Sequence, residues 1–328
     1  MTLETVPDPV PERGGMIIRM TAAAICGTDI RILRGRKTRG VRAPSILGHE
    51  FTGEIAETGW NGGFAVGDRV AICPALPCGH CRECLLGAEN ICANLTAFGY
   101  EIDGGFAELI RLPHAFVKAG NVFRLADGVS PDHAALAEPL ACVINGQELM
   151  GLTPGGSVAV LGTGPIGLLH IMLARHAGAG EVIAVQRSQH RRAAALELGA
   201  DRAVPPEEAE DIRVDATIVA VGSPELANLA ARITKPRGKI SLFAGFPAGV
   251  ETSFDLNAIH YGEQRVTGAF GLTCNQFAKA LDLITSGALP VAKLISHRFT
   301  LDGAMDAFAI AEQGSALKVV ITGSSSSS

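Results

Sequence analysis

The chain opens with short β-rich runs broken by Gly and Pro, at residues 16–23, 51–57 and 68–72. That spacing predicts a compact, mostly β domain extending to about residue 140. After Leu152 the pattern changes. SVAVL at 157–161 is a short apolar strand, and a glycine turn and a long apolar helix follow it. EVIAV at 181–185 is a second strand and residues 191–198 a second helix. Residues 203–204, 216–221 and 239–244 read as further strands. Strands alternating with helices imply βαβ units and a doubly wound parallel sheet, hence an α/β class. Residues 277–286 read as a helix, and residues 294–322 as strand, helix, strand.

Composition narrows the function more than the fold. A length of 328 residues fits two domains, and 47% hydrophobic residues are ample for packed cores. A net charge of −5 argues against a general affinity for nucleic acid. No apolar run approaches the length of a membrane span, and the N-terminus lacks a basic-then-apolar signal pattern. The expectation is a cytoplasmic protein with no membrane or nucleic-acid partner. Its eight cysteines should then stay reduced, which favours thiolate metal ligands over disulfides. The closing GSSSSS is low in complexity and expected to be disordered.

Four of those cysteines, Cys78, Cys81, Cys84 and Cys92, read C-x2-C-x2-C-x7-C. Thiolates this close in sequence converge on one tetrahedral Zn²⁺ and close its coordination sphere. Such a metal holds a loop together and does no chemistry; His80, between the ligands, reads as a loop residue. The second motif is Gly162-Thr163-Gly164-Pro165-Ile166-Gly167, set between a strand and a helix. The first glycine permits the tight turn, the second lets backbone approach a pyrophosphate, and the third permits close helix–strand packing. The helix N-terminus then offers N–H groups to the phosphates. Val221, at the end of a later strand, joins these residues as a cofactor candidate. At the end of the second strand, where an acid would bind the ribose 2′-OH, the chain has Gln186-Arg187-Ser188. Arg187 can pair with a 2′-phosphate and Ser188 can donate to it, with Arg191 and Arg192 nearby. Alternatively, Gln186 holds the 2′-OH and the arginines form a solvated helix face. The missing acid favours NADP over NAD.

Cys26 lies in ICGTD, His49 and Glu50 in LGHEFTG, and Glu138 in LAEPLAC. These are zinc-ligand types, although their spacing alone proves nothing. With GDRV, CGHCRECLLGAENIC, GGFAELIRLP, EPLACVI, VLGTGPIGLL, ELGAD and ALKVVITG, they run in order from about residue 16 to 322. In this the chain resembles the zinc-dependent medium-chain dehydrogenases, the alcohol, sorbitol and threonine dehydrogenase family. The resemblance implies a GroES-like catalytic domain over residues 1–142 and a Rossmann domain over residues 143–288. Residues 289–328 would return to the catalytic domain and end in the serine tail. It also implies two zinc ions per chain, NADP or NAD, a homodimer or homotetramer, and hydride transfer between a secondary alcohol and the nicotinamide. Cys26, His49 and Glu138 resemble the catalytic zinc ligands. Glu50 is a ligand in sorbitol-dehydrogenase-like members and exchanges with water in others. Glu138 stands where ethanol-type enzymes carry a cysteine, which points to the polyol and threonine branch. Thr28 resembles the hydroxyl that hands on the substrate proton, and Asp29 the acid that orients His49.

The chain departs from the pattern in three places. Family members usually begin further upstream, so a first strand is expected to be missing. A frequent relay histidine is replaced by Arg31, and the ribose acid by Gln186. Residues 31–42, RILRGRKTRGVR, hold six cations and no acid. They recognise an acidic or phosphorylated polyol or, on the blander reading, form a solvated loop. The small-molecule substrate is thus a polyol, sugar or related hydroxy compound; the rival enzyme reading is oxidation of threonine. A non-enzymatic zinc module is a third class, opposed by the acidic net charge and the glycine turn. Cys73, Cys142 and Cys274 read as small buried residues, and Lys318 as a structural contact.

Overall fold

The computed structural model describes residues 1–247, 249–251 and 254–323. The serine tail expected to be disordered lies outside them. By contacts the chain divides into two compact units, Met1–Ala141 with the segment from Leu272 onward, and Cys142–Gly271.

The first unit is built on a seven-stranded sheet. Along its main path run Ile295–Thr300, Lys318–Thr322, Met16–Ala24, Glu50–Thr58, Arg69–Ile72 and Val122–Arg124, with Leu109–Leu112 pairing to Met16–Ala24. The register at one end of the central strand decides where the chemistry goes. Ala24 lies opposite Val320 on one side and Glu50 on the other. The Ile25 N–H continues the ladder to the Val319 carbonyl at 2.9 Å. Cys26, the Glu50 pair and Lys318 are therefore brought to the same edge of the sheet. Phe51 packs edge-to-face on Phe98, which tilts against Phe116, with ring centroids 5.3 and 4.6 Å apart inside the apolar core. Fully burying one such ring contributes about 1.5–3 kcal/mol, and here it also anchors the residue next to Glu50.

The second unit is a six-stranded sheet in which every pair is parallel. Its order is Arg202–Val204, Glu181–Val185, Ser157–Leu161, Val214–Val219, Thr234–Leu242, Arg265–Gly268. Counted along the chain this is 3-2-1-4-5-6, the doubly wound dinucleotide-binding order. The strands Ser157–Leu161 and Glu181–Val185 fall where the apolar runs put them. The fifth strand starts earlier than residue 239. It passes through Pro236, Arg237 and Gly238 with a register shift, Arg237 adopting φ 60°.

By contacts the second unit ends at Gly271. The helix Cys274–Thr285 groups with the first unit because Phe277 packs on Phe123, ring centroids 5.2 Å apart, and Cys274 Sγ reaches the Gly120 carbonyl at 3.7 Å. Cys73 and Cys274 share a hydrogen bond, which with burial raises the Cys73 thiol well above its ordinary value.

Candidate metal and nucleotide sites

The cysteine lobe is the simplest site. Cys81 Sγ lies 3.4 Å from Cys84 Sγ and 3.7 Å from Cys92 Sγ, and Cys78 Sγ lies 4.0 Å from Cys84 Sγ. All four sulfurs fall within 4.8 Å of one another. A tetrahedron of Zn–S bonds has edges of about 3.8 Å, far longer than an S–S bond. The four thiols thus already stand at metal-ligating spacing. The Cys78 and Asn94 N–H groups point at Cys92 Sγ, each at 3.4 Å. The His80 N–H leads the contacts that pull the Cys78 thiol below its ordinary value, against burial. His80 itself bonds through Nδ1 to the Cys78 carbonyl at 2.8 Å and stays outside the cluster.

Cys26, His49 and Glu50 form the second cluster, their ligand atoms again within 4.8 Å of one another. Cys26 precedes the helix Gly27–Leu33, and its N–H donates to Asp29 Oδ2 at 2.8 Å. The other oxygen, Asp29 Oδ1, lies 3.3 Å from His49 Nδ1. A carboxylate on one ring nitrogen leaves Nε2 as the ligating nitrogen. Backbone closeness holds His49 in place. The Gly104, Gly105 and Phe106 N–H groups donate to the Ile46, Gly48 and Leu47 carbonyls at 2.8–3.0 Å. A Cβ on Gly104 would lie 2.2 Å from the Gly48 carbonyl, so only glycine permits this approach.

Glu50 is fully buried and both its oxygens face Lys318 Nζ, at 2.8 and 2.6 Å. Lys318 is itself only 5% exposed. Burial opposes its charge, but the field of Glu50, with Cys26 and Glu138 adding to it, raises it above its ordinary value. Lys318 is thus the structural contact expected, and its partner is an acid of the metal cluster. The signal that singles it out is a lysine between apolar neighbours in the strand Lys318–Thr322, where a cation needs a buried acid. Glu138, at the start of the helix Ala137–Met150, is outside the trio, but its charge acts on both Lys318 and Tyr100. The Tyr100 ring stands 5.4 Å from that of His49, and burial pushes its phenol up. Burial alone would lower His49, yet the fields of Tyr100, Asp29 and Cys26 raise it well above its ordinary value. Three carboxylates and a thiol face one ammonium here. A divalent cation answers that surplus, and the donor set of sulfur, imidazole and carboxylate fits zinc.

Thr28 is half-buried, and its Oγ1 accepts a hydrogen bond from Arg31 Nη2 at 3.0 Å. Arg31 therefore touches the hydroxyl that the sequence singles out, in place of the relay histidine.

In the second unit the glycine turn follows the first strand at the switch in strand order. Gly162 has φ 92°, a left-handed value that glycine adopts without strain. A Cβ on Gly167 would lie 1.9 Å from the Gly162 carbonyl, which identifies the close helix–strand contact. Pro165 and Ile166 open the helix Pro165–His176. Val221 packs over the turn, 2.8 Å from where a Gly162 Cβ would be. Arg191 Nη1 stands 4.0 Å from the corresponding position on Gly164, while its carbonyl accepts from Thr163 Oγ1 at 3.3 Å. Arg192 serves the backbone, donating to the Gln186 and Arg187 carbonyls at 2.8 and 2.6 Å. Ser188 precedes the helix Gln189–Glu197 and bonds His190 at 2.7 Å. The charge of Arg187 acts on Glu225. A further hollow lies at the amino ends of the strands, lined by Thr153, Ser157, Asp215 and Lys239. Ser157 there holds Asp215 down to about 2, and Lys235 pairs with it at 3.0 Å. That hollow is at the opposite end of the sheet from the glycine turn and, among the described residues, holds no metal-ligand set.

Comparison with known proteins agrees with this geometry. Residues 12–121 match the alcohol dehydrogenase GroES-like domain, and residues 165–286 the zinc-binding dehydrogenase domain. The chain is 33% identical to an L-threonine 3-dehydrogenase of Pyrococcus furiosus, over 97% of this chain and 94% of the relative. It is 30% identical to a sorbitol dehydrogenase of Bacillus subtilis, over 97% and 93%. The chain is a zinc-dependent medium-chain dehydrogenase. A solved structure from Sinorhizobium meliloti 1021, described as a zinc-binding dehydrogenase bound to NADP, superposes with a TM-score of 0.90 at 34% identity, over 97% of this chain and 94% of that one. This medium-chain dehydrogenase is accordingly an enzyme, an oxidoreductase moving hydride between an alcohol and a nicotinamide dinucleotide, and the non-enzymatic zinc module falls away.

The buried pair has a measurable consequence. Removing one partner of a buried ion pair costs about 3–5 kcal/mol. Lys318→Met should lower the unfolding free energy by that much, and adding Glu50→Gln should recover most of it. Chemical denaturation of the zinc-free protein reads both. Equal losses in the single and double variants would refute the coupling.

Proposed function

We propose that this dehydrogenase oxidises a secondary hydroxyl of a polyol, sugar or related hydroxy compound with NADP. One zinc lies at the reacting centre and a second in the cysteine lobe. The observation that supports the reading most directly is the convergence of Cys26, His49 and Glu50 at one end of three registered strands. Cys26, His49 and Glu138 would hold the catalytic zinc, with Glu50 exchanging between it and Lys318. Bound zinc supplies Lewis acidity, which makes an alkoxide accessible near neutral pH. The chain's own residues do the rest. Asp29 fixes the His49 ring, and Thr28 takes the hydroxyl proton. Arg31 fills one lone pair of Thr28 but cannot accept a proton, so the proton does not leave through position 31. Oxidation of the threonine 3-hydroxyl is the second reading, supported by the name of the Pyrococcus relative. The metal reading also requires reduced thiols, which is why we place the protein in the cytoplasm.

Two zinc ions per chain should appear in metal analysis. Cys84→Ser should lose one of them together with fold stability. Cys26→Ser should lose the other and abolish turnover while the fold survives. A wild-type chain holding one zinc would defeat the two-site reading.

For the cofactor, a charge-assisted hydrogen bond contributes about 1.5–3 kcal/mol. Arg187, backed by Ser188 and by Arg191 beside Gly164, should therefore favour NADP by roughly ten- to a hundredfold. Gln186→Asp with Arg187→Ile should move the preference towards NAD. The KM values for both cofactors test this, and a wild type that prefers NAD would end it.

The strand Arg265–Gly268 is an edge of the parallel sheet, and Tyr261 and Phe270 nearby are 82% and 68% exposed. An open edge with apolar neighbours favours pairing with a second copy. We expect a homodimer by light scattering that Phe270→Asp weakens; a monomeric wild type at micromolar concentration contradicts this.

A further inference from the structure

The six cations of residues 31–42 do not share one role. Arg34 forks onto Glu312, with Nε 2.6 Å from Oε1, and Arg42 pairs with Asp103. Arg36 and Arg39 are exposed, and the field of Arg36 adds to that of Arg34 on Glu312. Arg31 and Lys37 are different. The N–H groups of Arg36 and Lys37 both donate to the Arg31 carbonyl, at 2.8 and 3.2 Å. The turn passes through Gly35 at φ 66°. The chain thus folds back and sets Lys37 beside Arg31.

Both cations then face the groups around the reacting centre. Arg31 gives one of its five N–H donors to Thr28 Oγ1. Lys37 is half-buried, with Nζ 5.1 Å from the centroid of Tyr100, whose ring is 5.4 Å from His49. The loop is held against this ring, since the Arg42 N–H donates to the Tyr100 carbonyl at 2.9 Å. Burial and the fields of Arg31 and Arg39 oppose the charge of Lys37, Glu101 is the acid whose field supports it, and Nζ donates to the Arg39 carbonyl at 3.4 Å. Two neighbouring cations, one partly desolvated, are costly to hold together unless an anion joins them. A solvated loop would leave Lys37 in water, whereas Lys37 is half-buried beside the exposed Arg31.

We propose that the substrate carries an anionic oxygen group, carboxylate or phosphate, on the same small molecule as the oxidised hydroxyl, and that Arg31 and Lys37 bind it. A guanidinium fork with an ammonium beside it suits such a group. The proposal rests on the reading that the hydroxyl reacts beside Thr28, and it narrows the substrate to sugar acids, hydroxy amino acids or polyol phosphates.

The test uses the full-length zinc-loaded enzyme with NADP and NAD on matched substrates: gluconate, sorbitol 6-phosphate, L-threonine and neutral sorbitol. At least one anionic substrate should exceed sorbitol in kcat/KM by roughly tenfold or more, mainly through KM, with a preference that weakens as salt rises. Which anion wins separates carboxylate from phosphate. Arg31→Gln and Lys37→Gln should each cut the anionic-to-neutral ratio by roughly ten- to a hundredfold. Arg36→Gln, an exposed cation whose charge acts on Glu312, should leave it unchanged. Calorimetric titration of the same anions gives a readout independent of turnover, and their binding should be lost in the Arg31→Gln, Lys37→Gln double variant. Turnover of sorbitol with no anion preference overturns this inference and leaves the dehydrogenase reading standing. Anion binding that survives the double variant also overturns it. Calorimetric binding lost in the double variant supports it even if no compound is oxidised, and that lack of turnover would count against the hydroxyl-oxidation reading alone.

Discussion

The buried contact between Lys318 and Glu50 is the constraint around which the first unit is arranged. Its partners lie 268 positions apart in sequence. They meet because the strand Lys318–Thr322 and the strand Glu50–Thr58 both pair with Met16–Ala24 in a register that puts Val320, Ala24 and Glu50 side by side. A slip of one residue would turn every side chain of a strand to the other face, separating the lysine from its acid. Both charges would then be buried unpaired, at a cost of several kcal/mol per ion. The pair therefore penalises the wrong register more than it rewards the right one. The right register is also what brings Cys26 and His49 together with Glu50.

The two metal clusters differ in how they come about. In the cysteine lobe the four ligands lie within fifteen residues, and short turns and the helix Arg82–Leu85 suffice to gather them. That site is local and closed, so its spacing announces it. The Cys26, His49, Glu50 cluster needs the sheet, the Gly48–Gly104 backbone approach and the Asp29 bridge at once. A tertiary site of this kind has no spacing rule of its own. It was legible only because each ligand sits in a short motif whose neighbours, such as the glycines of LGHEFTG and GGFAELIRLP, have structural work to do nearby.

The same distinction explains what else could be read in advance. SVAVL and EVIAV are buried on both faces and show as continuous apolar runs. The edge strand Arg265–Gly268 is mostly exposed, so no pattern marks it, and it went unpredicted. The helix Cys274–Thr285 was recognised as a helix, but nothing local tells which core it packs on; the rings of Phe277 and Phe123 decide that. Among the arginines after the second strand, sequence offers Arg191 and Arg192 alike. Only the fold separates them, turning one to the glycine turn and the other to backbone carbonyls.

Arg31 links the departures from the family pattern to the chemistry. A hydroxyl has two lone pairs and one proton. At Thr28 the guanidinium occupies one lone pair, so the other must receive the substrate proton, and the hydroxyl's own proton must pass to a different acceptor. A fixed cation 3.0 Å away also disfavours positive charge developing on Thr28. In an ordinary polar pocket that would weaken proton transfer. Here a substrate anion on Arg31 would shield Thr28 from the guanidinium. A cation in place of a relay group is then compatible with oxidation when the substrate supplies the balancing charge. This ties specificity to the proton step through a single side chain.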